Sequence, residues 1–222
     1  EFFFRLSKRS HHIPQAGDLS CPGGILQGRW DRIIMRLVIS GVIPVLRNRA
    51  GKLSRQRDAE TFQILSLFLA NAMREAWEEI RLNPFSVHFL GPLPAYSLQH
   101  FQRIIFPMVG LVQQISRFRP NYEVESLVDI PVAAFFQKEN YATLIREVDG
   151  RLGLGEKEPQ FLPCLIYHDQ TGVEHVLWGA TFFVILSFLE IIFNFELPEW
   201  RNKRLVRKTI DAHYLSGEGK RR

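Results

Sequence analysis

Arg74-Glu75-Ala76-Trp77-Glu78-Glu79-Ile80 is the stretch that decides how this chain reads. It closes a longer run, 58–82, in which Phe62, Leu65, Phe68, Leu69, Ala72, Met73, Ala76 and Ile80 recur at helical spacing behind a suitable N-cap, Asp58. The pattern predicts one long helix. Near its end Glu75, Glu78 and Glu79 stand at i, i+3 and i+4, so three carboxylates converge on one side. Like charges so placed destabilise a helix unless cations offset them, and hard divalent ions such as magnesium or manganese take oxygen ligands of this kind. Arg74 reaches Glu78 by i, i+4 geometry and can hold a carboxylate in orientation, a supporting role rather than a chemical one. Taken alone, the pattern also describes a solvated acidic helix face, so its surroundings must decide.

Upstream, a polar stretch over 7–18 runs into Pro22-Gly23-Gly24, whose paired glycines permit a tight backbone path. The opening Glu1-Phe2-Phe3-Phe4-Arg5-Leu6 reads as a strand and lacks the basic leader and cleavage site of a signal peptide. Between 26 and 58, apolar clusters at 33–38 and 42–46 are broken by Gly41 and Pro44 and followed by Arg47, Arg49, Lys52, Arg55 and Arg57. This predicts a basic helical excursion at about 27–57 whose apolar clusters pack against the domain or a second subunit. Downstream, strand-like runs at 87–90, 103–112, 126–131, 161–167 and 173–177 precede an apolar helix that starts at Gly179. Its apolar stretch, 180–195, carries Ser187, Glu190 and Asn194 and falls short of the roughly 20 residues a bilayer span needs. The expectation is an α/β protein with a mixed central sheet covered by helices, one domain over 1–216, and a frayed basic tail at 217–222.

Composition adds bounds. With 46% apolar and 23% charged residues in 222, the chain can bury a real core. A net charge of +5 favours anionic partners without separating nucleic acid, phosphate-bearing metabolite and acidic membrane. Cys21 and Cys164 are too few for a disulfide framework or a zinc cluster, so a reducing, cytoplasmic setting is the default, and neither is a strong catalytic candidate. His11 and His12 without a third partner read as solvent-facing rather than metal-bound.

Pro22-Gly23-Gly24 together with Arg74 to Glu79 resembles the Nudix box, Gly-x5-Glu-x7-Arg-Glu-U-x-Glu-Glu-x-Gly-U, where U is a bulky aliphatic residue. The resemblance implies a Nudix-type α/β/α sandwich with a loop-helix-loop metal site. Glu75, Glu78 and Glu79 would bind Mg2+ or Mn2+, and Gly24 would add a backbone carbonyl. The chain departs from the box in three places. The 26–58 segment separates the glycine from Arg74 and leaves the first-half glutamate without a counterpart at its usual distance, with Glu60 as a weak stand-in. Ala76 replaces the bulky aliphatic residue, and Arg81 stands where the box has glycine.

Leu6-Ser7-Lys8-Arg9-Ser10, followed by Gly17 to Gly24, looks like the additional signature of the coenzyme A pyrophosphatase branch, with Cys21 in the usual phenylalanine place. Further likeness lies in Phe106 to Val112, Arg119-Pro120-Asn121, Val128 to Pro131 and Trp178 to Thr181, although Trp178 also reads as a core aromatic. The resemblance implies cleavage of a diphosphate linkage in coenzyme A or a related nucleotide derivative, with Arg9, Ser10, Gly23 and Gly24 at the substrate and Glu123 or Glu125 as general base. Arg9 could equally be a strand-end surface residue. Alternatives are another nucleoside diphosphate-linked substrate such as NADH, ADP-ribose or a dinucleoside polyphosphate, and a catalytically silent Nudix fold that binds a partner. No nucleic-acid partner is expected, and a homodimer is left open.

Overall fold

The computed structural model describes residues 1–98, 103–113, 118–148, 159–210 and Tyr214. The tail expected at 217–222 lies outside the described residues. The chain forms two compact units, one from 1–21 with 122–222 and the other from 22–121.

The first unit is built on two sheets. Strand β1 (Phe3–Arg9) pairs antiparallel with β2 (Leu19–Ser20) on one side and β7 (Val124–Pro131) on the other. A mixed sheet has the order β10 (Glu174–Leu177), β9 (Gln160–His168), β8 (Tyr141–Val148), β11 (Leu205–Ile210), with β11 parallel to β8 and the other pairs antiparallel. Alternation along these strands serves two cores, because successive side chains point to opposite faces. Tyr141 and Leu165 join the core around Leu6, Ile130 and Phe135, while Ala142, Leu144, Cys164 and Ile166 pack with Trp178 and Ile210 on the other face. Helix α4 (Gly179–Phe193) presses Phe182, Ile185 and Leu189 into the first of these cores, at i, i+3 and i+7. The buried Tyr141 hydroxyl is satisfied by donating to the Phe135 carbonyl at 2.7 Å.

The second unit is mainly helical. Its elements are α1 (Gly28–Ile39), α2 (Arg49–Arg55), α3 (Ala59–Ile80), the antiparallel pair β3 (Val87–Pro92) and β6 (Met108–Val112), and the short pair β4 (Tyr96–Leu98) and β5 (Arg103–Ile105). The 27–57 segment is helical as expected, and Val38, Ile43, Val45 and Leu46 pack into a core with Leu65, Leu69, Met73, Val87 and Phe89. Asp58 caps α3, its carboxylate accepting the Thr61 N–H at 2.8 Å. The run expected as one strand at 103–112 is divided at Phe106-Pro107, where proline has no N–H to give a ladder.

The α3 C-terminus settles what stands in for the missing glycine. Arg81 takes the left-handed conformation (φ 57°, ψ 35°), and its N–H and that of Leu82 close on the Trp77 and Ala76 carbonyls at 3.0 and 3.1 Å. A non-glycine residue there carries a strain of about 1–2 kcal/mol. The Arg81 guanidinium lies 5.4 Å from the Trp77 ring centroid, which recovers part of that cost.

Candidate active site

Arg74 organises the carboxylate end of α3. Its side chain is buried, and it meets the fully buried Asp31 of α1 through Nε at 2.7 Å from Oδ1. Nη2 donates to Glu75 Oε1 at 2.7 Å and to the Ile25 carbonyl at 3.2 Å, while Nη1 donates to Glu78 Oε2 at 2.8 Å. One planar guanidinium thus orients three carboxylates from two helices, a task a lysine ammonium does not share. Burial works against the charge on Arg74, but the hydrogen bond to Asp31 and the charge of Glu75 outweigh it, so its pKa is raised. Burial likewise pushes the Glu75 carboxyl up, and Arg74 only partly offsets this.

The glycine loop lies against the same carboxylates. The Gly23 N–H donates to Glu79 Oε1 at 3.1 Å. A Cβ on Gly24 would come within 2.2 Å of Glu75 Oε1, so only glycine leaves that carboxylate where it is. Gly23, Gly24, Arg74, Glu75, Glu78 and Glu79 therefore meet within the second unit. The separation in sequence is closed in space because the 27–57 segment folds back, with α1 packed on α3.

That segment also supplies a residue the sequence reading missed. Asp31 holds Arg74, and its Oδ2 accepts the Gln27 N–H at 2.6 Å at the start of α1. Glu60, weighed as the stand-in, is exposed in the first turn of α3, 14 residues or about 21 Å along the helix from Arg74. The signal was one of spacing. Asp31 falls seven positions after Gly24, one more than the box glutamate after its glycine, and it is an aspartate.

The remaining expected site residues lie in the first unit. Arg9 Nε donates to the Pro14 carbonyl at 3.0 Å, and the Ser10 N–H donates to the Glu123 carbonyl at 2.8 Å where β1 and β7 shift register after Lys8. The Ser10 hydroxyl is buried and accepts the His12 N–H at 3.3 Å. Glu125 is paired with Lys8 at 2.7 Å, and that hydrogen bond lowers its pKa. His11 and His12 are exposed and Trp178 is buried, as their sequence contexts suggested.

Among the described residues no three His, Cys, Asp or Glu side chains form a ready-made metal cage. The donors at the α3 terminus still fit a hard divalent ion. They are all oxygens, and Glu78 is 46% exposed beside the buried Arg74. Magnesium commonly takes one or two carboxylates and completes its shell with water and substrate phosphates rather than with an all-protein cage.

No family model matches the chain. It is 30% identical over 128 residues to "Nudix hydrolase 15, mitochondrial" of Arabidopsis thaliana, a match covering 55% of this chain and 41% of the relative. It is 30% identical over 126 residues to "Nudix hydrolase 22, chloroplastic" of the same plant, covering 55% and 39%. It is 36% identical over 142 residues to "Uncharacterized Nudix hydrolase NudL" of Pectobacterium atrosepticum, covering 63% and 66%. The chain thus spans about two fifths of the two plant proteins and about two thirds of the bacterial one. Set beside the glycine loop and the Arg74 carboxylate cluster, these similarities support placing the chain in the Nudix hydrolase superfamily.

Proposed function

We propose that the protein is a divalent-metal-dependent hydrolase that cleaves a diphosphate linkage, with coenzyme A or a related nucleotide derivative as substrate. The observation that carries this reading is that one buried arginine holds Glu75 and Glu78 while the glycine loop lies against the same helix end, Gly24 on Glu75 and Gly23 on Glu79. A bound Mg2+ or Mn2+ would acidify water and neutralise charge on the nonbridging phosphate oxygens. Glu75, Glu78 and Glu79 would hold it, with the Gly24 carbonyl as a further oxygen donor.

The chain's own residues have separable tasks in this scheme. Arg74 fixes the rotamers of Glu75 and Glu78, so those carboxylates need little reorganisation when a cation arrives. The burial that raises the Glu75 pKa favours an incoming cation, which relieves the cost of its charge. Gly23 holds one oxygen of Glu79 through a backbone N–H. Glu123 and Glu125 are the candidates for proton abstraction, and Arg9 and Ser10 for substrate contact. The pairing of Lys8 with Glu125 lowers the pKa of that carboxylate and weakens it as a base, which favours Glu123 of the two. With only two cysteines, Cys21 exposed and Cys164 buried, the chain holds no disulfide framework, which supports a reducing, cytoplasmic site of action.

A second substrate reading rests on Asp31. Because the 27–57 segment contributes a contact to Arg74, it also borders the cluster and can shape what enters, which favours another nucleoside diphosphate derivative. Product analysis separates the two. With Mg2+ or Mn2+, coenzyme A is expected to give 3′,5′-ADP and 4′-phosphopantetheine faster than NADH, ADP-ribose or a dinucleoside polyphosphate is cleaved. Preference for one of the latter overturns the coenzyme A assignment, and cleavage of none overturns the hydrolase reading.

A further inference from the structure

We infer that the outward face of α1 and the loop after it dock the protein on an anionic phospholipid surface. This does not rest on the hydrolase reading. With 100° per residue, Asp31, Ile34 and Val38 face the core side of α1, where Asp31 meets Arg74 and the two aliphatic residues pack. On the flank next to it Trp30, Ile33 and Leu37 share an arc of roughly 60°. They are 59%, 40% and 38% exposed. Ile25 before the helix and Val42 after it are also exposed. Arg29, Arg32 and Arg36 occupy the adjoining arc and are exposed too.

The charge balance of the segment is one-sided. Residues 27–57 hold seven arginines and Lys52 against a single acid, Asp31. Asp31 is buried and held by Arg74, so it neutralises nothing at the surface. Among the described residues Arg29, Arg32, Arg36, Arg49, Lys52 and Arg57 form no ion pair. An exposed tryptophan and aliphatic stripe flanked by unpaired arginines matches the headgroup boundary of an anionic bilayer, where apolar side chains insert and arginine stems reach back to phosphates. A nucleic acid would pair with the arginines but leave Ile33, Leu37 and Val42 in water. A second copy on the same face would bring like charges together.

The test uses the full chain and sedimentation with phosphatidylcholine vesicles, with and without about 30% phosphatidylserine, at about 0.1 M salt. Partitioning to the serine-containing vesicles is expected to exceed that to pure phosphatidylcholine at least about tenfold. Ile33→Ser with Leu37→Ser should lower it about tenfold or more. Arg32→Ala with Arg36→Ala should lower it about 25-fold, at about fivefold per cation. If the helix variants lose the parent's melting temperature, Val42→Ser in the following loop takes their place and should still weaken binding measurably. Equal binding to both vesicles, or unchanged binding by the variants, overturns the proposal. So does tight binding of an RNA oligonucleotide, or self-association lost in the variants, with no vesicle binding.

Discussion

Asp31→Ala is the sharpest perturbation of the site, because it removes one partner of a buried ion pair and leaves the other in place. Breaking such a pair from one side costs about 3–5 kcal/mol. Arg74 keeps Glu75, Glu78 and the Ile25 carbonyl, so the lower end applies, about 3 kcal/mol. The Gln27 N–H also loses its acceptor at the start of α1, a contribution of about 1 kcal/mol that overlaps with the first. At about 2–4 °C per kcal/mol for a chain of this length, the melting temperature should fall by about 6–12 °C. Asp31→Asn keeps the volume and one acceptor and should fall by less than half as much. The assay is thermal unfolding followed by circular dichroism without metal, paired with steady-state kinetics. With Arg74 free to shift, kcat should drop about a hundredfold while KM changes little, since misplacement of about 1 Å has that effect. A melting temperature within about 2 °C of the parent, less than 1 kcal/mol, would refute the idea that Asp31 anchors Arg74.

Gly24→Ala should cost turnover more than stability: the Cβ displaces the end of the Glu75 side chain and loosens its ion pair with Arg74, so unfolding changes by about 1–3 kcal/mol while turnover falls sharply. Gly51→Ala makes the opposite contrast. Its Cβ would meet the Leu46 carbonyl at 2.0 Å, a backbone atom that cannot swing away, so the melting temperature should fall markedly. Thiol titration with an aromatic disulfide should find Cys21 in the native protein and both cysteines after denaturation, since burial pushes the Cys164 thiol up to about 12. Asp169 accepts hydrogen bonds from Thr171 and pairs with His175 at 2.8 Å, which lowers its pKa below the ordinary 3.8. Its ionised form is favoured by folding, so its contribution is present above about pH 4 and lost as pH falls through the lowered value. The melting difference between the parent and Asp169→Asn should therefore be full at pH 7 and narrow steadily in acid.

What was legible in the sequence follows from how local each signal is. The α3 helix and its Asp58 cap are set by neighbours within one or two turns, so periodicity and spacing were enough. The helical character of 27–57 was legible for the same reason, from apolar clusters with a glycine and a proline between them. Strands β8 and β11 were missed because Tyr141–Val148 mixes Thr143, Arg146 and Glu147 into its apolar residues and Leu205–Ile210 is interrupted by Arg207, Lys208 and Thr209. Their pairing is long-range, across roughly sixty residues, and no local pattern announces it. Asp31 was hidden by a one-residue change of spacing and by a change of acid. Its role shows only once α1 packs on α3. Of the apolar clusters in 27–57, Val38, Ile43, Val45 and Leu46 are buried within the second unit, while Ile33 and Leu37 stay exposed.

The central claim is that the α3 carboxylates carry a metal-dependent diphosphate cleavage, and the most direct measurement is Mg2+-dependent turnover of coenzyme A by the parent, Glu78→Gln and Glu79→Gln at matched concentration. Both substitutions lie toward the solvent side of α3, so melting temperatures without metal should stay close to the parent's. The account predicts product formation by the parent, its loss on chelation of the metal, and a fall of orders of magnitude in each variant. Turnover near the parent's level in both correctly folded variants would contradict it.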